Sequence, residues 1–246
     1  MINPYFKECF FYSNIINKDI ITLDSDETHH LYHVLNLKTG TVIHVCDGQG
    51  RIYRAGITEI QKTLSACRII DYITYPAPEP EIIMGAGILK ARGFEKLLEE
   101  TLPFCLKKII PLKTAYTFKP SRIDNKAVQR WNDKARTILK QTKTPFLTTV
   151  EQPVNLSDFW KCMYKNGKVL LMNNLTEEAE HISDIGLKQI QRITLLVGPE
   201  GGFSNEEIQL SLDNGAAVTT LGKSRLRSET AAMAAACAIR LFTKSL

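Results

Sequence analysis

The sequence predicts an α/β protein in two parts, a small N-terminal β-barrel and a larger domain built on a mainly parallel sheet. Three observations carry this. Residues 1–74 hold short strand-like runs around one strong hairpin signal. Tyr75-Pro76-Ala77-Pro78-Glu79-Pro80 puts prolines at alternate positions, which neither a helix nor a central strand accommodates, so residues 75–80 read as an extended linker. Across residues 81–246, apolar strand-like runs alternate with amphipathic helical ones, the pattern of βα units.

In the first part, Asp24-Ser25-Asp26-Glu27 offers capping oxygens and early acids ahead of THHLYHVLNL, so a helix is expected there. TVIHVC and RIYRAGITEI flank Asp47-Gly48, a hairpin turn, and LSACRIIDYIT reads as a further strand. In the second part, EIIMGAGIL is a buried strand, GFEKLLEETLPF an amphipathic helix, KKIIPLKT a strand and DNKAVQRWNDKARTILKQT a long basic helix. KVLLMNN and RITLLVG are short and apolar, as strands buried on both faces are. Ser204 opens another helix, AAVTTLG is a last strand, and SETAAMAAACAIRLFTK a final helix.

The chain has 246 residues, 44% hydrophobic and 23% charged, which suits a globular protein with a sizeable core. It contains no run of about 18 apolar residues, so no membrane-spanning helix is expected. MINPYFKECFFYSN lacks a basic segment leading into an apolar one, and the expected compartment is the cytoplasm. The six cysteines are scattered with no CxxC pair, which points to reduced structural thiols and away from a zinc site. His29 and His33 lie one helical turn apart, but no third ligand is near, and no metal is expected.

Charge is unevenly distributed. The net +5 resides in residues 87–147, where 14 basic and 5 acidic groups leave +9. Such a block is either a phosphate-binding face or the solvated side of ordinary helices.

Two segments carry candidate chemistry. In Leu195-Leu196-Val197-Gly198-Pro199-Glu200-Gly201-Gly202-Phe203-Ser204 a buried strand runs into a glycine-rich turn and then a helix, with Ser204 and Glu207 placed as a capping box. The glycines let a ligand approach main-chain atoms, yet the segment has no Walker lysine, which argues against nucleotide hydrolysis. Gly85-Ala86-Gly87 also follows a strand, but Lys90 stands where a dinucleotide fingerprint needs glycine. In Thr220-Leu221-Gly222-Lys223-Ser224-Arg225-Leu226-Arg227-Ser228-Glu229-Thr230-Ala231-Ala232, a strand ends, a basic loop follows and an Ala-rich helix begins. Arg225 and Arg227 beside that helix start suit an anion or a polarised base. Arg51 and Arg54, on or beside the hairpin, are candidate phosphate contacts.

GPEGGFS followed by TLGKSRLRSETAA resembles the paired motifs of the RsmE family, SPOUT-class methyltransferases that modify N3 of a uridine in 16S ribosomal RNA. Leu221, Gly222, Leu226, Arg227, Ser228, Glu229, Thr230 and Ala231 match the second motif, and Arg225 stands at its aliphatic position. His29-His30-Leu31, Val34-Leu35, Gly40 and Asp47-Gly48 resemble the family's PUA-like barrel. Thr101-Leu102-Pro103-Phe104 replaces the usual TELG-type turn, Thr114-Ala115-Tyr116-Thr117 lacks a usual arginine, and Lys140 stands where an acid is common.

The resemblance implies an N-terminal PUA-like β-barrel (1–74) and a SPOUT α/β domain (81–246) with a C-terminal trefoil knot, in a homodimer. It implies S-adenosyl-L-methionine as methyl donor, held by Leu171, Met172, Asn173 and Asn174, by Gly198, Pro199, Glu200, Gly201 and Gly202, and by Leu221, Gly222, Arg225, Leu226 and Arg227. Arg227 would stabilise the uracil or a phosphate, and Glu229 is either a proton acceptor or a partner of the helix dipole. With 16S ribosomal RNA of the small subunit as partner, the basic stretch becomes an expected phosphate face, with Lys90, Arg92, Lys140 and Lys143 among its contacts. Two alternatives stay open: a catalytically inactive RNA-binding or ribosome-assembly module of the same fold, and a SPOUT methyltransferase acting on another RNA.

Overall fold

A computed structural model describes residues 9–117, 125–162, 167–173 and 179–244. It divides into two compact units, one of residues 1–77 with 136–147, the other of residues 78–135 with 148–246. The sequence reading put its linker at 75–80; the first unit's main segment ends at Ala77, and Arg136–Leu147 joins it from far along the chain. No local pattern marks that second segment, because membership of a unit is decided by packing.

The first unit is one curled six-stranded sheet, order β1-β4-β5-β6-β3-β2. Its strands are β1 (Phe10–Tyr12), β2 (Ile15–Asn17), β3 (Ile20–Leu23), β4 (Val42–Cys46), β5 (Arg51–Ile60) and β6 (Ser65–Thr74). The hairpin lies where Asp47-Gly48 predicted it: β4 and β5 pair antiparallel, and Asp47 Oδ1 accepts from the amides of Gln49 (2.7 Å) and Arg51 (3.0 Å). Gly48 and Gly50 both have positive φ there, +71° and +106°. Phe11, Ile21, Leu23, Leu31, Ile43, Val45, Ala55 and Cys67 are buried together as the core. The helix expected after Asp24 is short: α1 (Ser25–His29), capped by Asp24, gives way to a π-helical turn over His30–Val34. His29 and His33 pack ring against ring, centroids 4.8 Å apart. Cys46 is built into the hairpin, its sulfur accepting from Gly48 N, and burial pushes the thiol up to about 12.

The second unit is an eight-stranded parallel sheet, order β10-β8-β7-β13-β11-β14-β12 with β9 beside β8. The predicted runs appear as β7 (Glu81–Gly87), β8 (Lys108–Lys113), β11 (Lys168–Met172), β13 (Arg192–Val197) and β14 (Ala216–Thr220). Three two-residue strands escaped the sequence reading: β9 (Thr149–Val150), β10 (Val154–Asn155) and β12 (Glu180–His181). The helices are α2 (Ala91–Thr101), α3 (Asn125–Thr142), α4 (Leu156–Cys162), α5 (Asn205–Asp213) and α6 (Ser228–Thr243). α2 buries Phe94, Leu97, Leu98 and Thr101, the i, i+3, i+4, i+7 stripe its sequence spells, and Phe94 meets Trp131 of α3 at 4.3 Å between ring centroids. α6 buries Ala232, Ala235, Ala236 and Ile239. Its Arg240, 2% exposed, donates to the carbonyls of Pro80 (2.8 Å), Phe104 (2.9 Å) and Cys105 (2.8 Å). Among the described residues, no helix is long and apolar enough to cross a membrane.

One ion pair in the first unit revises a sequence expectation. Lys140, read as an RNA contact, is bound to the buried Glu27 at 2.5 Å. Burial raises the Glu27 pKa above its ordinary 4.5, against the pull of Lys140. A carboxyl raised in the folded state holds its proton more tightly there than when unfolded. Its stabilising contribution is therefore complete below the unfolded pKa and is lost as pH rises through the folded one. Lys140→Ala removes the opposing cation, so the variant should lose about 3 kcal/mol at neutral pH and clearly less in mild acid, where Glu27 takes a proton. Urea denaturation in the two buffers checks this; an equal deficit in both would contradict it.

Candidate functional site

Lateral register creates the site. β11 lies between β13 and β14, with Met172 opposite both Val197 and Thr219, while Val197 is opposite Ala86 of β7. Four parallel strands therefore end at one edge of the sheet, where α/β proteins bind ligands. The segments leaving β11, β13 and β14 wall a cavity of about 500 Å³, completed by Gly93 of α2 and by Ser228, Glu229 and Ala231 of α6.

The glycine loop after β13 folds on itself. Gly202 N donates to Pro199 O (2.8 Å) and Gly202 has φ +76°, while a side-chain carbon on Gly198 would stand 2.9 Å from Gly202 C. The loop also crosses β7 closely: a side-chain carbon on Gly87 would lie 2.4 Å from Pro199 N. In the Gly85-Ala86-Gly87 run, Gly87 thus serves this backbone crossing, while Gly85 makes room for the Leu196 and Leu112 side chains. Across the cavity, Gly222 has φ +127°, and its amide donates to Thr220 Oγ1 (3.1 Å), which donates to Gly222 O (2.9 Å). Nothing lies within 4 Å of where side chains on Gly202 or Gly222 would begin. Two loops therefore offer the cavity bare main chain.

Polar links tie these loops to the helices. Helix α2 has no side-chain cap of its own near Lys90, and the Lys90 amide donates to Glu200 Oε1 (3.3 Å). Arg225 Nη2 donates to Glu200 O (3.4 Å), joining the third loop to the second. The capping box on α5 is present: Ser204 N donates to Glu207 Oε2 (2.9 Å) and Glu207 N to Ser204 Oγ (3.3 Å). The other oxygen of Glu207 accepts from Ala115 N (2.8 Å). Arg227 is exposed at the cap of α6, its carbonyl accepting from Ala231 N (2.8 Å). Glu229, in the first turn, is buried and ion-paired to Lys96 of α2 (3.5 Å).

Of the residues the sequence proposed, Met172, Asn173, Gly198, Pro199, Glu200, Gly201, Gly202, Leu221, Gly222, Arg225, Leu226, Arg227 and Glu229 all line the cavity. Leu171 does not. It is fully buried in the sheet core with Leu196 and Phe203, since successive strand side chains alternate in direction. Asn174 lies outside the described residues. Gly93, Val197, Phe203, Thr219, Thr220, Ser224, Ser228 and Ala231 also line it and were missed. Thr219 and Thr220 immediately precede a proposed residue and were within reach, whereas Gly93 comes from a helix with no motif.

The expected RNA contacts belong to both units. Arg54 is exposed and ion-paired to Asp71 (2.6 Å), and Arg51 lies over the Tyr72 ring at 5.5 Å. Lys90 and Arg92 are exposed at the start of α2, and Lys143 is partly buried with φ +53°. Much of the basic stretch is spent on acids: Arg130 with Glu95 (3.0 Å), Lys134 with Glu99, Lys108 with Glu151 (3.7 Å), and Lys140 with Glu27. Lys119 and Arg122 lie outside the described residues.

The sequence profile of the RNA methyltransferase domain matches residues 77–240, and that of the RNA methyltransferase PUA domain matches residues 23–70. Ribosomal RNA small subunit methyltransferase E of Rickettsia conorii is 25% identical over 241 residues, covering 96% of each chain. The Synechocystis protein of the same name is 26% identical over 230 residues, 92% of this chain and 74% of its own. In three dimensions, the Neisseria gonorrhoeae enzyme of that name, crystallised with S-adenosyl methionine, superposes with a TM-score of 0.86 at 23% identity, covering 96% of this chain and 98% of its own. With its PUA unit, its parallel sheet and the cavity at the strand ends, this chain belongs to the RNA methyltransferase domain family.

Proposed function

We propose that the protein transfers a methyl group from S-adenosyl-L-methionine to N3 of a uridine in 16S ribosomal RNA of the small subunit. The observation that carries this reading is the cavity where three loops meet, two of them presenting bare glycine backbone at Gly202 and Gly222, and the one after β14 also carrying Arg225 and Arg227. A flat adenine edge can be read by main-chain amides and carbonyls, so apolar and glycine residues suit it. About 500 Å³ falls within the range of small-molecule sites. The relatives' names and the N. gonorrhoeae complex support the same cofactor and substrate class.

The order β13-β11-β14, an earlier strand between two later ones, is compatible with the trefoil knot of this fold class. A homodimer joined along α6 is part of the proposal. Met233, Cys237 and Leu241, the last 59% exposed, form an i, i+4, i+8 apolar row away from the buried alanines, and Phe242, 41% exposed, flanks it. The cytoplasm is the compartment that fits a ribosomal RNA substrate.

When bound, S-adenosylmethionine supplies a methyl group on a sulfonium, given up by in-line displacement. The loops would hold the donor, and placing it against the acceptor would provide much of the rate. The N3 proton must leave and the imide anion must be stabilised. Arg227, beside the amino end of α6, is assigned to the anion. The two carboxylates in the wall are Glu200, tied to Lys90 N, and Glu229; we assign the proton to Glu229, buried and held by Lys96.

Mass spectrometry of 16S ribosomal RNA from a deletion strain should show the loss of one methylated uridine, restored by this protein. Unchanged RNA would reject the assignment. Calorimetry should detect S-adenosylmethionine binding, which an inactive RNA-binding module need not show. Arg227→Ala should abolish methyl transfer in a folded protein, and Glu229→Gln should lower kcat by about 100-fold with cofactor affinity kept. Full turnover in the glutamine variant would return Glu229 to a helix-end role. Gly87→Ala forces the Pro199 loop away from β7. It should weaken cofactor binding at least ~10-fold and cost about 1–3 kcal/mol of stability by overpacking.

A further inference from the structure

The geometry points to Tyr116 as a stacking platform for an unpaired RNA base beside the cofactor cavity. This rests on the RNA methyltransferase reading and adds to it a contact outside both motifs. Tyr116 is 56% exposed, in the turn that follows β8. Its base sits against the glycine loop: a side-chain carbon on Gly201 would stand 2.7 Å from Tyr116 Cβ and 3.0 Å from Cγ. Gly201 lines the cavity, so the tyrosine stands directly behind one of its walls. Any side chain at 201 would push it away.

The turn that bears this ring is fixed at several points. Thr117 N donates to Thr114 O (3.1 Å), and Thr114 N donates to Thr117 Oγ1 (2.8 Å). The two threonine hydroxyls are 2.9 Å apart. Ala115 N donates to Glu207 Oε1, the carboxylate that also caps α5. An exposed aromatic on a backbone already held in place loses little freedom when it stacks.

The substrate chemistry gives such a surface a use. N3 lies on the Watson–Crick edge of uracil, inside any base pair, so the target must be unpaired when methyl transfer occurs. Sequence-specific enzymes of this kind work on splayed nucleotides whose bases stack on aromatic side chains. Removing the target from its stack leaves the neighbouring base with a bare face, and Tyr116 offers it a replacement. Every base has a π-face, so this contact contributes affinity rather than sequence choice.

The test compares Tyr116→Leu, which keeps bulk but removes the ring, with Tyr116→Phe. Two readouts are used: binding of a single-stranded oligouridylate, and KM for methylation of 16S ribosomal RNA. The leucine variant should weaken oligonucleotide binding and raise KM by about 10-fold, with the phenylalanine variant within about twofold of the parent and cofactor affinity equal in all three. Unchanged oligonucleotide binding in the leucine variant would overturn the proposal. So would a loss of cofactor affinity as large as the loss of RNA affinity, which would make Tyr116 a prop for the glycine loop. The binding arm decides the matter even if no methyl transfer to ribosomal RNA is found, a result that would instead refute the proposed function.

Discussion

The alignment of Met172, Val197 and Thr219 across three parallel strands is the constraint on which the site depends. A slip of one residue in β11 would exchange the directions of Leu171 and Met172, placing a core side chain at the cavity and a cavity residue in the core. The buried cluster around Leu171, Leu196 and Phe203 prevents that slip. Hydrophobic packing beneath the strand ends therefore sets the height at which all three loops begin. Asn173 N, donating to Thr219 O at 2.9 Å, extends the same register one step past β11.

Above that level, few contacts come from regular structure. Glu200 takes the Lys90 amide, Arg225 takes the Glu200 carbonyl, Glu207 takes the Ala115 amide, and Lys96 meets Glu229. Each link joins segments distant in sequence. Each satisfies a backbone group or a charge that would otherwise face the cavity or solvent unpaired. Main-chain donors and acceptors dominate this arrangement, so the loops hold shape while leaving Gly202 and Gly222 bare. Rigid loops with bare backbone suit a ligand recognised by its edges rather than by a charged pocket.

The strands and helices that bear on the site were legible because their apolar periods are strong and their ends are marked. Ser204 and Glu207 mark the start of α5, and Gly222 the turn after β14. The two loop motifs were legible as motifs, and nearly every residue taken from them lines the cavity. What stayed hidden belongs to long-range packing. Leu171 failed because a linear motif does not show which way a strand residue points. Gly93 and Tyr116 reach the cavity and its wall only through the placement of α2 and the turn after β8. The two-residue strands β9, β10 and β12 are too short to have a period. Arg136–Leu147 reads as the end of a basic helix, and nothing local reveals that Leu139 packs among Phe10, Tyr12, Cys46 and Ile52.

Charge shows most sharply how composition and availability differ. The +9 stretch looks like a phosphate face in sequence, but a count of charges does not say which side chains are held in pairs. Arg130 and Lys134 of α3 answer Glu95 and Glu99 of α2, acids already subtracted in the +9, so these pairs join two helices and leave the excess as it was. Lys140 is committed to Glu27, whose buried carboxylate has no other cation in reach among the described pairs. Arg240 goes further: its guanidinium is buried, caps three carbonyls, and fixes the far end of the helix whose near end carries Arg227 and Glu229. Exposed pairs such as Arg130 with Glu95 contribute little to stability, whereas the hydrogen bonds of the buried Arg240 guanidinium contribute more. Pairing therefore decides which side chains are held in place, while the net charge felt at a distance stays what the sequence sets.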